Sequence, residues 1–361
     1  MRTPLLVPFA LFFFWCCLGI VFALNRANSM HDIYAHLFKY LVFFYLIVNF
    51  FNSRKGFLTL VWIVVISTGV YIVVLMGYSY GIVGHGLNEL LGTDIPETSP
   101  NILALVTIFG FLISIFLVSR KNSLCKNMLL LLSQGLLLFA ILATQSRSAL
   151  LALAAALLAV FSRRKKTFIL LIAVAAIVTT GVIALGDRQN TGALLPKIRS
   201  GDTSTMKERI GMWMCYAQVI KDHPLTGVGF GMQTCYDEKL LFKYNQRVNE
   251  RYRVPHLYGA PHNLIIDTTT RTGLVGAALF LYTLFVFLRM GWRIARRGRD
   301  AFTREWSLCL MGAFAAVFIQ GMFENTLSGP PAVILYLILA MMTILWRMEN
   351  EQETSISNNL R

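Results

Sequence analysis

The strongest constraint on the fold of this chain is the recurrence of apolar runs that are long enough to cross a lipid bilayer. A membrane core of ~30 Å requires about 20 apolar residues in a helix, and each run must be helical because lipid offers no partner for a free backbone N–H or C=O. The residues are 56% hydrophobic and only 14% charged, whereas about a quarter of the residues of a soluble protein are charged. The sequence therefore predicts an all-α polytopic membrane protein. The ten candidate spans are residues 5–24, 34–51, 57–77, 99–118, 127–145, 148–162, 167–186, 263–288, 306–324 and 331–346.

The distribution of lysine and arginine predicts how these spans are oriented. If Arg2 is cytoplasmic, the cytoplasmic segments hold 18 of the 33 basic residues, and the short loops on the other side hold only Arg26 and Arg147. By the positive-inside rule, both termini are then cytoplasmic. Because this rule explains more than half of the basic residues, the formal net charge of +15 does not call for a nucleic-acid partner. The first apolar run is longer than the roughly 7–15 residues of a signal peptide, which favours an uncleaved anchor.

A large loop divides the predicted membrane helices into two groups. Helices 1–7 occupy residues 1–186, a large periplasmic loop containing short helices occupies 187–261, helices 8–10 occupy 262–348, and a disordered cytoplasmic tail occupies 349–361. The large loop carries eleven Lys or Arg against seven Asp or Glu, which is not explained by the positive-inside rule. This excess of positive charge favours contact with anionic headgroups or an anionic substrate. A solvated loop whose charges have no specific partner is the alternative.

The histidines and cysteines do not predict a metal centre. In this topology all six histidines lie at or outside the outer membrane face, but no HxxxH or HExxH spacing and no Cys/His cluster occurs. Two of the six cysteines, Cys215 and Cys235, share the large loop, where an oxidising compartment permits a disulfide. The sequence leaves open whether these two cysteines pair.

The segment RIGMWMCYAQVIKDHPLTGVGFGM, within the large loop, joins a predicted amphipathic helix to a glycine-rich turn. Thr205 and Glu208 form a capping-box pattern, and apolar residues at helical spacing follow, which predicts a helix over residues 206–222. Its apolar face, with Trp213, is expected to rest at the lipid boundary. Pro224 ends the helix. GVGFG lacks the βαβ context of a dinucleotide fingerprint and the GKS or GKT of a phosphate loop, so it predicts closely packed backbone rather than a nucleotide site.

Four polar residues lie near the predicted outer membrane surface. Arg147 lies at the outer end of the fifth and sixth spans, and Arg209 lies on the predicted loop helix. A guanidinium can bind phosphate through two parallel hydrogen bonds, or can simply extend to the lipid headgroups. His262 stands where the large loop enters the eighth span and can accept a proton near neutral pH, although an interfacial histidine without a chemical role would look the same. Glu324, at the outer end of the ninth span, either pairs with an arginine or histidine or faces water.

Taken in order, these motifs resemble those of the O-antigen ligase family. The resemblance covers residues 130–285 in detail and most of the chain in hydropathy. The motifs are the pair Ser146-Arg147, Arg209 with Trp213 four residues later, the PLTGVGFG turn from Pro224 to Gly231, and His262-Asn263 followed by a helix with Gly273 and Gly276.

The resemblance implies a glycosyltransferase of the bacterial inner membrane that acts at the periplasmic face. Members of the family transfer a glycan from undecaprenyl diphosphate to a sugar of the lipid A–core, without a nucleotide sugar, a metal or another cofactor. By their positions in the motifs, Arg147 and Arg209 are expected to hold the diphosphate, and His262 is expected to activate or orient the acceptor hydroxyl. Glu324 is a further candidate for an assisting carboxylate.

The sequence departs from the family pattern in two ways. Many members have more than ten spans, and the position of Arg271 is commonly acidic. Here Asp267 and Arg271 are four residues apart on one helix face, which predicts an ion pair. An O-antigen polymerase, which uses the same donor with another lipid-linked glycan as acceptor, is the alternative function. A transporter is a weaker alternative, because the sequence shows no pair of broken helices.

Overall fold

The computed structural model describes residues 3–81, 99–118, 122–144, 146–161, 204–254, 259–324 and 327–359. Within these ranges the regular elements are helices, numbered here in chain order. The α-helices are α1 Leu6–Gly19, α2 Arg26–Asp32, α3 Lys39–Phe50, α4 Arg54–Gly81, α5 Pro100–Val118, α6 Leu124–Ala143, α7 Arg147–Phe161, α8 Ser204–Asp222, α9 Met232–Cys235, α10 Glu238–Asn245, α11 Leu264–Arg297, α12 Ala301–Gly321 and α13 Gly329–Asn359. A π-helix, Ile33–Phe38, joins α2 to α3, and short 3-10 helices span Ile20–Phe22 and Glu250–Tyr252.

Seven helices in the described part of the chain are long and apolar enough to cross a membrane. Each of them coincides with a predicted span, which confirms an all-α polytopic membrane protein. They are Arg26–Phe50, Arg54–Tyr78, Pro100–Val118, Leu124–Ala143, Leu264–Arg297, Ala301–Gly321 and Gly329–Glu351.

The other three predicted spans have different outcomes. The spans at 5–24 and 148–162 correspond to shorter apolar helices, Leu6–Phe22 and Arg147–Phe161. The span predicted at 167–186 lies outside the described residues.

The predicted tail, residues 349–361, begins inside helix α13. Helix α13 continues to Asn359, well past the end of the predicted tenth span at residue 346. The sequence RMENEQE that follows the apolar part is rich in residues of high helix propensity, so the helix does not end where the apolar residues end.

The chain forms two compact units, of which the first comprises Met1–Asn52, Thr203–Arg299 and Gly321–Arg361. In this unit α1 packs along α11, and α3 packs along α13. Aromatic rings fill both contacts. The ring centroids are 5.8 Å apart for Phe12 and Phe280, and 5.4 Å apart for Tyr40 and Tyr336.

Helix α8 agrees closely with the helix predicted over 206–222, but its surroundings do not. It begins at Ser204, one residue before the predicted N-cap Thr205, and it ends before His223 and Pro224 as predicted. Its apolar face is buried against the rest of the large loop rather than left for lipid, which corrects the predicted lipid-boundary position. The buried side chains include Met212, Cys215, Tyr216 and Val219 of α8, with Val228, Cys235, Leu241, Tyr244, Val248 and Val254 packed around them.

The second unit comprises Ser53–Asp202 and Asp300–Gln320. Its helices α4, α6 and α7 all contact α5. Trp306 of α12 is fully buried and its ring centroid lies 5.3 Å from that of Phe57. Gly110 of α5 faces the Thr68 side chain so closely that a Cβ on the glycine would lie 2.8 Å from it, which shows how tightly α4 and α5 approach.

Candidate functional site

The glycine segment, Gly227–Gly231, is enclosed by backbone on two sides. The Val228 carbonyl accepts a hydrogen bond from the N–H of Leu24 at 3.0 Å, and the Val228 N–H donates to the Thr270 carbonyl at 2.9 Å. Gly227 has a φ of 68°, and a Cβ there would lie 2.4 Å from the Thr270 oxygen. The prediction that these glycines allow close backbone packing is therefore confirmed.

Helix α11 is interrupted where the glycine segment meets it. Gly273 has a φ of 70° and a ψ of −179°, so the regular hydrogen bonding of the helix stops there. The Thr272 carbonyl accepts instead from the indole N–H of Trp15 at 2.9 Å, and the Leu274 N–H donates to the Pro224 carbonyl at 2.8 Å. Irregular backbone within a membrane span is tolerated only where protein covers it, and here α1 and the turn after α8 provide that cover.

A buried ion pair fixes the glycine segment to α11. Arg271 Nη1 lies 3.3 Å from Asp267 Oδ2, and both side chains are only 1% exposed. The same guanidinium donates through Nε to the Phe230 carbonyl at 2.8 Å, and Asp267 accepts from the Tyr236 hydroxyl at 2.8 Å. The predicted ion pair is confirmed. Arg271 donates to the backbone carbonyl of Phe230, so the glycine segment has a structural role in packing against α11.

His262 and Glu324 form a hydrogen-bonded pair just before α11. His262 Nδ1 lies 3.0 Å from Glu324 Oε1, with the histidine side chain 44% exposed and the glutamate side chain 8% exposed. A carboxylate at Nδ1 favours the tautomer that carries its proton there, which leaves Nε2 as a proton acceptor. This is the arrangement of a general base with an orienting carboxylate.

The backbone around His262 is held in an unusual conformation. Its φ of 47° lies in the left-handed region, which costs a non-glycine residue about 1–2 kcal/mol. The next residue, Asn263, caps α11 by accepting hydrogen bonds from the N–H groups of Ile265 and Ile266 at 3.0 and 3.1 Å. Its amide also donates to the Met322 carbonyl at 3.4 Å. Strained backbone of this kind is concentrated at functional sites, where surrounding contacts impose it.

Arg209 lies at the same end of the first unit as this pair. It is half-buried in the second turn of α8, and its guanidinium carbon is 5.9 Å from the ring centroid of Phe323, the residue before Glu324. The structure thus brings together three of the predicted site residues: Arg209, His262 and Glu324. A guanidinium can bind a phosphorylated substrate, and a partly exposed imidazole can accept a hydroxyl proton.

Residues 132–281 match the family model described as O-antigen ligase. This part of the chain is similar to an O-antigen ligase domain. The match agrees with the resemblance found in the motifs and supports ligase or polymerase chemistry of the O-antigen type, which is a membrane glycosyltransferase activity. The matched residues include Arg147, Arg209 and His262, whereas Glu324 follows the match. A comparison with curated proteins gives no match.

Within the matched region, Arg147 is the first residue of α7 in the second unit, and it is exposed. The hydroxyl of Ser146 accepts from the Ala149 N–H at 3.2 Å, which caps α7, and it donates to Asn101 Oδ1 at 2.6 Å. The Ser-Arg motif therefore has a local explanation: the serine fixes the helix start and the arginine follows it at the surface. The part of Arg147 in diphosphate binding stays a prediction.

Two tyrosines of the matched region, the buried Tyr216 and the half-buried Tyr236, were not predicted from the sequence as parts of the site. The Tyr216 hydroxyl donates to the Gly259 carbonyl at 3.0 Å, and the Tyr236 hydroxyl donates to Asp267. Burial raises the pKa of both phenols well above the usual value, because a buried phenolate loses its hydration. Both therefore act as permanent hydrogen-bond donors. For Tyr216, the signal was its spacing of three residues from Trp213, which places both on neighbouring positions of one helix face.

Cys215 and Cys235 are free, buried thiols, which answers the open question of a disulfide between them. Cys215 Sγ donates to the Leu241 carbonyl at 3.3 Å. Burial raises the pKa of Cys215 to about 12, so its thiol is un-ionised near neutral pH.

The histidines are distributed over several places. In α2, His31 Nδ1 lies 2.9 Å from Asp32 Oδ1. His36, which follows α2, has its Nε2 4.0 Å from the same oxygen. No group of three or more His, Cys, Asp or Glu that could hold a metal ion occurs in the described ranges. His85 and His256 lie outside those ranges.

Proposed function

We propose that this chain is an O-antigen ligase, which transfers a glycan from undecaprenyl diphosphate to a sugar hydroxyl of the lipid A–core in lipopolysaccharide biosynthesis. The observation that carries this proposal is the His262–Glu324 pair on an O-antigen ligase domain, with Arg209 at the neighbouring Phe323. A base and a cation at one end of a membrane protein are the two groups that this reaction requires.

In the proposed reaction, His262 activates the acceptor. The acceptor oxygen attacks the anomeric carbon of the glycan and forms a new C–O bond, while the bond from that carbon to the phosphate oxygen breaks. Nε2 of His262 takes the hydroxyl proton as the attack proceeds. Glu324, buried against Nδ1, keeps the imidazole in the correct tautomer and stabilises the positive charge that it gains. Attack from the face opposite the leaving group inverts the anomeric configuration.

The arginines act on the leaving group. Undecaprenyl diphosphate departs with negative charge, and preorganised donors that neutralise this charge stabilise the transition state. Arg209 supplies one planar guanidinium for this purpose, and Arg147 is proposed as the second. Because the lipid diphosphate is already an activated leaving group, the transfer requires no ATP, and the proposed mechanism uses protein side chains alone.

The proposed setting is the periplasmic face of the bacterial inner membrane, with both termini in the cytoplasm. The excess of lysine and arginine in the predicted cytoplasmic loops supports this orientation. The positive charge of the large loop also suits the anionic lipid carrier and the anionic membrane surface.

The test is core capping in a strain that lacks this gene, with lipopolysaccharide resolved by electrophoresis. The gene should restore O-antigen bands on the core. His262→Ala and Arg209→Ala should each reduce capping by ~10²-fold or more while the protein stays in the membrane. Matched controls are His31→Ala, at a side chain that is 72% exposed, and Arg251→Ala, on the exposed surface of the large loop; both should cap normally.

The same gel separates the proposed ligase from a polymerase. A strain without its ligase has a bare core, whereas a strain without its polymerase has a core capped by a single glycan unit. Single-unit capping in the deletion strain would assign the chain to polymerisation, and normal capping by both site variants would remove the site assignment.

A further inference from the structure

Two side chains of α8 hold the short segment that carries His262. The Trp213 indole N–H donates to the Pro261 carbonyl at 2.8 Å, and the Tyr216 hydroxyl donates to the Gly259 carbonyl at 3.0 Å. Pro261 immediately precedes His262, so the tryptophan bond acts on the peptide group that joins the two residues.

This peptide group needs an outside constraint. His262 has a φ of 47°, which a histidine rarely adopts on its own. Asn263 fixes the backbone on the far side through the cap of α11, and Glu324 fixes the imidazole. The hydrogen bond from Trp213 constrains the backbone on the N-terminal side of His262. Without this bond the turn can relax toward an ordinary backbone conformation.

The position of Trp213 on α8 links this turn to the arginine. Arg209 and Trp213 are four residues apart, so they lie one turn apart on the same side of the helix. A helix is rigid over one turn, and a movement of the His262 turn relative to Trp213 is therefore also a movement relative to Arg209. This geometry gives a physical reason for the four-residue spacing of Arg209 and Trp213.

We propose that Trp213 is a positioning residue for glycan transfer: its indole N–H holds the strained turn that presents His262 at a fixed place relative to Arg209. This inference rests on the proposed function, in which His262 and Arg209 act on the same reacting centre. Indole has a donor and no acceptor, so it can hold a backbone carbonyl without competing for the hydroxyl proton that His262 takes.

The test is Trp213→Phe, which keeps an aromatic ring in the space and removes the donor. In a purified transfer assay with lipid-linked glycan and lipid A–core, kcat should fall by ~10²-fold, the cost of misplacing a catalytic group by about 1 Å, while KM for the donor stays the same. The matched control is Trp292→Phe, at an exposed tryptophan of α11, and both constants should be unchanged there.

A second measurement does not depend on transfer. Diethyl pyrocarbonate modifies exposed imidazoles, and mass spectrometry gives the rate at each histidine. In Trp213→Phe the relaxed turn should release the imidazole from Glu324, so the rate at His262 should rise several-fold relative to the exposed His31. In Trp292→Phe the ratio of the two rates should equal that of the unmodified sequence.

The two measurements separate failure of this inference from failure of the proposed function. If the enzyme without substitutions transfers no glycan, the proposed function is wrong. The ratio of the modification rates at His262 and His31 still decides whether Trp213 holds the turn. An unchanged ratio in Trp213→Phe overturns the inference. So does a raised ratio with normal kcat, because the turn would then be held without any consequence for transfer.

Discussion

At the scale of single residues, Arg271 is a buried charge in a membrane protein, and its role is structural. Its side chain is 1% exposed, and its partners are the Asp267 carboxylate and the carbonyl of Phe230. Its guanidinium carbon also lies 4.1 Å from the centroid of the Phe230 ring. An acidic residue at this position would leave the Phe230 carbonyl without this donor. The role of Arg271 is therefore in the packing of the glycine segment.

This role predicts a strong effect of Arg271→Met on stability. The substitution leaves the Asp267 carboxylate buried without its cation, which typically costs about 3–5 kcal/mol. The thermal midpoint of the purified protein in detergent should fall markedly. Arg296→Met, on the exposed side of α11, is the matched control and should have little effect.

A second substitution tests the cause of the loss. In Arg271→Met combined with Asp267→Leu, the unpaired charge is gone, and part of the lost stability should return. If the double variant melts no higher than Arg271→Met alone, the uncompensated carboxylate is not the cause, and the contact with Phe230 carries the effect.

At the scale of elements, the break in α11 and the glycine segment form one structural unit. Gly273 interrupts the helix at the point where Gly227 and Val228 lie against the carbonyl of Thr270. A Cβ on Gly273 would lie 1.9 Å from the Leu225 carbonyl oxygen. The interruption allows the large loop to dock on a membrane helix by backbone hydrogen bonds.

We therefore expect Gly273→Ala to destabilise the protein and to reduce transfer. The backbone conformation alone, with φ of 70° and ψ of −179°, costs a non-glycine residue about 1–3 kcal/mol, and the Cβ clash adds to this. Gly135→Ala in α6 is the control, because a Cβ there meets no atom within 4 Å. Thermal midpoint and transfer rate should fall in Gly273→Ala and stay level or rise slightly in Gly135→Ala. Equal midpoints for the two variants would contradict the docked interruption.

The elements also show what the sequence can and cannot predict. Seven membrane spans and the helix before Pro224 follow from local patterns, because hydropathy, helical spacing and proline act over neighbouring residues. The break at Gly273 could not be predicted, since a lone glycine in a span becomes an interruption only when another segment docks there. The same applies to the site. Arg209, His262 and Glu324 are each predicted from the sequence. The hydrogen bond from Trp213 to Pro261 is not, because it joins residues 48 positions apart.

At the scale of the whole molecule, the central prediction is the orientation of the chain in the membrane. The 18 basic residues of the predicted cytoplasmic segments oppose translocation of those segments and favour an outward-facing large loop. Arg147, Arg209 and His262 then face one compartment, as a reaction on a single lipid-linked diphosphate requires. If the orientation were reversed, the donor and acceptor would have to be available in the cytoplasm.

Labelling with a membrane-impermeant maleimide tests this orientation in intact cells. Glu238→Cys, at an exposed position of the large loop, should be labelled from outside, and so should Arg147→Cys. The native Cys125, which is exposed and lies in a predicted cytoplasmic loop, should be labelled only after the cells are lysed. Labelling of Cys125 from outside would reverse the proposed topology. If Glu238→Cys is labelled from outside but Arg147→Cys only after lysis, Arg147 and Arg209 lie on opposite sides of the membrane. A diphosphate site shared by these two arginines would then be physically impossible.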